Sequence, residues 1–531
     1  MTTNSARKFN RRHVVTTAGV AASTLALGHK AQAGPATSSS RGFRAQSDLS
    51  GKLTISTTYN EFPDGAREAL AAAYNEVRPN VELVWETQDL PAGDYASWLG
   101  TQLSVDPVIP DIVTGVYQKD FRDYVDYAQY RYADNPHTGR QWNDDVDWDR
   151  AQEYSARGLL LGIPKGTYSV VWYYNKELFA SAGVEPPTNW TEFVEVCATL
   201  KDAGITPITS NFQWQVPQWL REVYFEQYHT DWVETVRAQE GDWNFNPERD
   251  GNFVYDPADV DIHNHYTFSA QRYYAGIRDG ALSFDTPRIA EMVRNFSQVF
   301  PQMATDDFYV VQDPYPTFLQ RQAAMMVNTT GNLIQLTKDM DALSPERLES
   351  LGITDSDVAP FEWGTFLMPS MEGDLVISPA KSVEGSSASP TIIHKSQEQT
   401  DLALDFMMFY ISHAGYQPYV DAGIEAGTVT PSGPLTLRDV TLPDLFENEF
   451  KNIQLIGDAE SSYNSHFLEW TGGDIKTGAF NIFKTALDGD ISPEEFATQI
   501  QAYVLDNFDT ILERAGLTQA DLDSPDRQPG T

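Results

Sequence analysis

Only one cysteine, Cys197, occurs in 531 residues. An intramolecular disulfide is therefore excluded, and so is a cysteine-rich metal site. Cys197 lies in the apolar run FVEVCATL, where a small buried hydrophobe is expected rather than a nucleophile. Basic residues are also scarce: 37 Lys and Arg face 75 Asp and Glu, for a net charge of −38. Nucleic acids and anionic membrane surfaces need a basic face, so neither is expected as a partner. Beyond the N-terminal segment no run of 18 apolar residues occurs, so no membrane span is expected in the rest of the chain. Gly-x-Ser-x-Gly, His-Glu-x-x-His and a glycine-rich phosphate loop are all missing. The chain is accordingly expected not to be an enzyme, and to need neither cofactor nor metal.

What is present is a globular composition, 41% hydrophobic, and enough length for two or three cores. Residues 1–33 stand apart. They hold Arg7, Lys8, Arg11, Arg12 and Lys30 and no acid, which leaves −43 on the remainder. A moderately apolar stretch follows the basic start, then Ala31-Gln32-Ala33, a small-x-small cleavage pattern. This is a signal peptide layout. Arg11-Arg12 is similar to a twin-arginine signal, although Val14 and Val15 replace the Phe-Leu usual after the pair; a Sec signal is the alternative. No cysteine lies near the cleavage point, so a soluble, exported protein without a lipid anchor is expected. Residues 34–50 are polar and small and read as a flexible linker.

From Lys52 the pattern changes. KLTISTTY alternates like a strand, and Asp64 is placed to cap a helix GAREALAAAYNEV that stops at Pro79. VELVWETQ, DYASWLGTQLSV and PDIVTGV read as strand, helix and strand. Strands alternating with single helices predict right-handed crossovers, a parallel sheet, and a ligand beyond the strands' carboxyl ends. Residues 119–157 and 231–265, rich in Tyr, Trp and Asp, read as long surface insertions. Near the C-terminus, Ser492 and Glu495 have the spacing of a capping box.

Residues 162–208 carry Tyr174-Asn175-Lys176, Ala182-Gly183, Pro186-Pro187, Trp190 and Ala203-Gly204 in order. In that set the chain resembles the family 1, maltose-binding-protein-like extracellular solute-binding proteins of carbohydrate ABC importers. PTFLQRQAAMMVNTTGNL, FEWGTFLMPS and EGSSASPTIIHK extend the likeness, which runs from about Leu53 to about Phe508. One departure is plain: Thr329-Thr330-Gly331-Asn332 stands where the family usually has Gly-x-Trp. The resemblance implies an α/β, two-lobed periplasmic-binding-protein-like fold, with discontinuous lobes joined by a hinge. Lobe 1 would hold 51–166 plus 327–386, and lobe 2 would hold 167–326 plus 387–531. The crossings would fall at Thr167–Val170, Met326–Asn328 and Ser386–Thr391. The implied function is capture of a mono- or oligosaccharide in the interlobe cleft, by a monomer that delivers it to the membrane permease subunits of an ABC importer.

A sugar needs aromatic faces for its C–H side and polar groups for its hydroxyls. The resemblance puts Asn60, Glu61, Tyr117, Thr167, Tyr168, Asn211, Trp214, Asn328, Asn332, Trp363 and Ser386 at the cleft, with Trp214 and Trp363 at its mouth. For any one aromatic, core packing competes, and Trp172 and Trp190 are assigned to cores. A secreted glycoside hydrolase is the alternative; it would need two carboxylates roughly 5–10 Å apart, which 75 acids would meet by chance. Ferric-ion or other metal binding is a more distant reading, through Tyr173-Tyr174, Tyr273-Tyr274 or His263 and His265. The two histidines, in an acidic loop, are expected to be solvated. Alternation along a strand would point Tyr173 and Tyr174 in opposite directions.

Overall fold

The structure, a computed structural model, describes residues 49–529 apart from 59–60, 89–91, 106, 115–123, 149–153, 157–158, 355–357, 383, 452 and 454–471. The expected signal segment, the linker up to residue 48, Asn60 and Tyr117 lie outside the described residues. Leu49, expected in the linker, is buried in a core, so an apolar anchor precedes the first strand.

Strand β1 (Gly51–Thr58) is flanked by two parallel neighbours, β2 (Val81–Gln88) and β3 (Ile112–Val113). Ile55 stands opposite both Trp85 and Ile112. Helix α1 (Ala66–Val77) crosses between β1 and β2 and buries Ala66, Leu70 and Tyr74, a four-residue spacing that makes one face. Its N-cap is Gly65 at φ 80°, with no side-chain cap. Asp64 sits one position too early to cap and instead pairs with Arg67. Helix α2 (Ala92–Leu103) leads towards β3.

Two short strands, β4 (Tyr154–Ala156) and β5 (Leu159–Gly162), form a hairpin before the long strand β6 (Pro164–Asn175). Helices α3 (Lys176–Ala182) and α4 (Trp190–Asp202) follow, then β7 (Ile208–Thr209) and α5 (Arg221–His229). The Asn175 and Asn189 side chains cap α3 and α4. The remaining strands are β8 (Met325–Thr329), β9 (Trp363–Phe366), β10 (Glu384–Ala388) and β11 (Thr391–Ile392). The second sheet runs β10-β6-β8-β7, with β9 also on β6. Ser386 stands opposite Thr167, and Asn328 opposite Val171. The three segments expected to cross are thus neighbours in one sheet.

That sheet has a hydrophobic core on each side. One core joins Leu53, Ile55, Leu70 and Ile112 to Phe406, Met407 and Tyr410; the other joins Phe193, Leu200 and Val223 to Phe296, Phe483 and Ile500. Alternation along β6 serves both: Val171 and Tyr173 enter the first core, Val170 and Trp172 the second, and Tyr174 packs against the second. In β8, Met326 enters the first core, and Met325 and Val327 the second.

Residues 387–450, assigned to lobe 2, contribute β11, paired antiparallel with β3 at the edge of the first sheet, and the first-core helices Gln397–Tyr410 and His413–Glu425. The cause is that β10 is followed within three residues by β11, which returns the chain to the first sheet. Conversely, β9 joins the second sheet, and Met368 and Met371 pack in the second core. The insertions are anchored rather than superficial: Tyr127, Trp142 and Val146 are buried in the first core, and Trp232, Val236 and Ile262 in the second. Both halves of the capping box at Ser492 and Glu495 are formed. Trp172 and Trp190 are buried, as is Cys197, whose thiol burial holds well above its ordinary range.

Candidate functional site

Where β6 begins, a second segment runs beside it. Thr167 N donates to Pro434 O at 3.0 Å, Thr436 N donates to Lys165 O at 3.1 Å, and Gly166 bridges Leu435 antiparallel. The approach is so close that a Cβ on Gly433 would lie 2.2 Å from the Thr167 carbonyl oxygen, a position open only to glycine. Thr330 ties the same segment to the end of β8: its hydroxyl donates to Ser432 O at 2.6 Å and accepts from Ser169 N at 3.1 Å.

The loop so held walls a cavity of about 440 Å³. Its lining comprises Glu61, Pro63, Lys165–Tyr168, Tyr416, Tyr419, Thr428–Gly433 and Leu435. Tyr416 and Tyr419 stand one helical turn apart, with ring centroids 5.4 Å apart, and both pack on Tyr410 at 5.7 Å. Tyr419 donates to Glu61 O at 2.7 Å, which holds the turn after β1 in place.

A charged pair crosses this wall. Lys165, 5% exposed, donates to Glu61 Oε1, and to the Tyr410 hydroxyl at 3.3 Å. Burial opposes its charge, but the adjoining Glu61 carboxylate outweighs that and holds the ammonium above its ordinary value. Burial raises the Tyr416 and Tyr419 phenols, so both remain neutral donors.

Of the residues expected at a site, Glu61, Thr167 and Tyr168 line this cavity. Ser386 lies opposite Thr167 by backbone pairing; its side chain is outside the described set. Asn211, Trp214, Asn328, Asn332 and Trp363 are not in the lining. Asn211 is fully buried, and its Oδ1 accepts the backbone N–H groups of Gln213, Trp214 and Gln215, so helix capping consumes it. Trp214 is half-buried immediately before the wide turn Gln215–Leu220. Asn328 Oδ1 accepts from Thr329 N at 2.8 Å, and Asn332 opens the helix Gly331–Asp341. Trp363 is half-buried with its ring 6.0 Å from Tyr173.

Sequence reasoning missed Lys165, Tyr416, Tyr419 and the 428–435 loop. A signal for one of them existed. Lys165 is a lone charge in the otherwise uncharged run GIPKGTYSVVWYY, and a lysine on a buried strand calls for a buried counter-charge.

The histidine and tyrosine pairs considered for metal behave otherwise. His263, expected to be solvated, is buried: Nε2 lies 2.7 Å from Glu226 Oε1, and Nδ1 lies 2.9 Å from the Tyr266 hydroxyl. Lys381 Nζ donates to the same Glu226 oxygen at 2.8 Å. His265 is exposed and meets Asp259. Tyr273 and Tyr274 are core residues of the helix Ala270–Arg278. Among the described residues, no group of three or more His, Cys, Asp or Glu is placed to hold a metal ion. Nor is any described helix long and apolar enough to cross a membrane.

Comparison with known proteins agrees with this architecture. Residues 59–248 match the family model of the bacterial extracellular solute-binding proteins. A family 1 extracellular solute-binding protein from Bifidobacterium longum subsp. infantis shares 15% identity, covering 86% of this chain and 99% of that one, at a TM-score of 0.52. The cyclic α-maltosyl-1,6-maltose binding protein from Arthrobacter globiformis shares 17%, covering 86% and 98%, at 0.53. An ABC substrate-binding protein from Listeria monocytogenes, in complex with cycloalternan, shares 14%, covering 88% and 100%, at 0.51. The chain thus shares the fold of these solute-binding proteins, and residues 59–248 carry the match to the family model of bacterial extracellular solute-binding proteins.

Proposed function

We propose that the protein captures a sugar or oligosaccharide outside the cytoplasm, between its two lobes, and delivers it to an ABC importer without altering it chemically. The observation that carries the reading is the cavity on the first-core side of the start of β6, walled by tyrosines on one side and hydroxyl-bearing loop residues on the other, which a second lobe would close over. Tyrosine faces suit the C–H face of a pyranose, and Thr428, Thr430 and Ser432 offer donors and acceptors to its hydroxyls. At about 440 Å³ the space lies within the roughly 300–1,000 Å³ typical of small-molecule sites. Proteins of the same fold bind cyclic maltosyl-maltose and cycloalternan. We further propose that the lobes meet along β6, β8 and β10, that the protein acts as a monomer, and that the first 33 residues direct export.

The test is thermal unfolding of the purified chain against a saccharide panel. A ligand at a hundred times its Kd stabilises by about 2.7 kcal/mol. The sugar that raises the melting temperature should also lower the radius of gyration in small-angle scattering, because contacts to both lobes favour the closed form. A panel-wide absence of shift, or steady release of reducing ends from the sugars, would overturn the reading.

A further inference from the structure

The sugar reading leaves open what the ion pair does in the cavity wall. Two polar atoms there are uncommitted. Among the described residues, Glu61 Oε2 and the Tyr416 hydroxyl have no hydrogen-bond partner, although Tyr416 is 94% buried and lines the cavity. Its ring is packed away while its hydroxyl is left for what enters the cavity, water or a ligand that replaces it. The cation is committed: Lys165 holds Glu61 Oε1 and the Tyr410 hydroxyl, and its ammonium lies 5.6 Å from the centre of the Tyr410 ring. The wall therefore offers a carboxylate oxygen and a phenol, while its positive charge is turned inward.

Resting on the sugar-binding reading, we infer that this cavity selects an uncharged, polyhydroxylated ring and rejects sugar carboxylates. Glu61 accepts a ligand hydroxyl through Oε2, Tyr416 hydrogen-bonds a second, and Lys165 is a positioning residue that fixes the Glu61 carboxylate. A uronate in the same place would set its charge against Glu61 at low dielectric, where like charges a few ångströms apart are strongly unfavourable. Among the described lining residues it would find no free cation, since Lys165 is the only Lys or Arg there.

The experiment measures affinities by calorimetry for neutral probes (maltotriose, xylotriose and raffinose) and for trigalacturonate, with wild type, Glu61→Gln and Tyr416→Phe. Wild type should bind at least one neutral probe and discriminate against trigalacturonate by roughly a hundredfold or more. Glu61→Gln keeps the shape and an acceptor for Lys165, and should narrow that ratio by roughly tenfold or more. Tyr416→Phe should weaken the neutral probe by roughly threefold to tenfold, the loss of one hydrogen bond, and leave the ratio unchanged. Circular dichroism and melting curves confirm that the variants fold, and the ratio is insensitive to a uniform loss of active protein. Equal binding of neutral and anionic probes, or an unchanged ratio in Glu61→Gln, overturns this inference while the sugar reading stands. No heat from any probe counts against the sugar reading itself, and this inference falls with it.

Discussion

Buried charge in this protein is arranged in small closed groups, and the most enclosed is Glu226 with His263 and Lys381, each no more than 3% exposed at the side chain. Burial alone would raise the Glu226 carboxyl, but His263 and Lys381 outweigh it and lower it from its ordinary 4.5 to about 2. A depressed carboxyl contributes stability that is complete above the unfolded value and disappears as pH falls through the folded one. Acid unfolding should therefore draw on this group between about pH 4.5 and 2. Lys381→Met removes one partner and leaves Glu226 with its charge short of compensation, which should cost about 3–5 kcal/mol. The urea midpoint at neutral pH measures it, and a loss below about 1 kcal/mol would mean the group is better solvated than its burial indicates. The sequence hid this cluster because its members are 37 and 155 residues apart. Asn211 misled for the opposite reason, since a polar residue that caps a buried turn and one that meets a ligand look alike in one dimension.

The element that shapes the cavity is the loop after the helix His413–Glu425, and its fit depends on Gly433. Gly433→Ala puts a methyl against the Thr167 carbonyl oxygen, so loop and strand must part. Overpacking of this kind costs about 1–3 kcal/mol, and the displaced loop should weaken sugar binding at least in proportion. Ser492→Ala serves as a control. It removes a cap at the far end of the chain, costs about 1 kcal/mol of stability, and should leave affinity unchanged. Equal affinities for the two variants would remove the loop from the site. Elements of this kind differ in how well they can be read. The capping box at Ser492 was legible from its spacing, whereas Asp64, expected as a cap, sits one position too early, and the caps at Asn175 and Asn189 went unread. The loop was not legible, because its place is set by backbone pairing with a strand more than 260 residues earlier, and backbone pairing carries no side-chain signature.

For the whole molecule, charge separates a basic N-terminal segment from a strongly acidic remainder. The export proposal rests on that division and on Arg11-Arg12. Arg11→Lys with Arg12→Lys keeps the charge and removes the paired guanidinium groups. It should leave the precursor in the cytoplasm if the twin-arginine route is used. Normal appearance of processed protein outside the cytoplasm would assign export to the Sec route. The two-lobed plan itself was legible, because the ordered landmarks from Tyr174 to Gly204 sit on β6, α3 and α4 as expected. The partition of residues 387–450 was not. β11 is two residues long, too short to leave a periodic signal, yet it determines which sheet the following helices cover.

One consequence lies in β6, whose odd and even positions belong to different cores. Inserting or deleting a single residue in its C-terminal half would turn Trp172 towards the wrong partners and Tyr173 with it, exchanging the contents of the two interiors in one step. The strand therefore tolerates substitution by side chains of similar volume far better than any change in length. Neither half of the protein can be excised at this strand without stripping a wall from the other, so the pair is inherited as one indivisible piece.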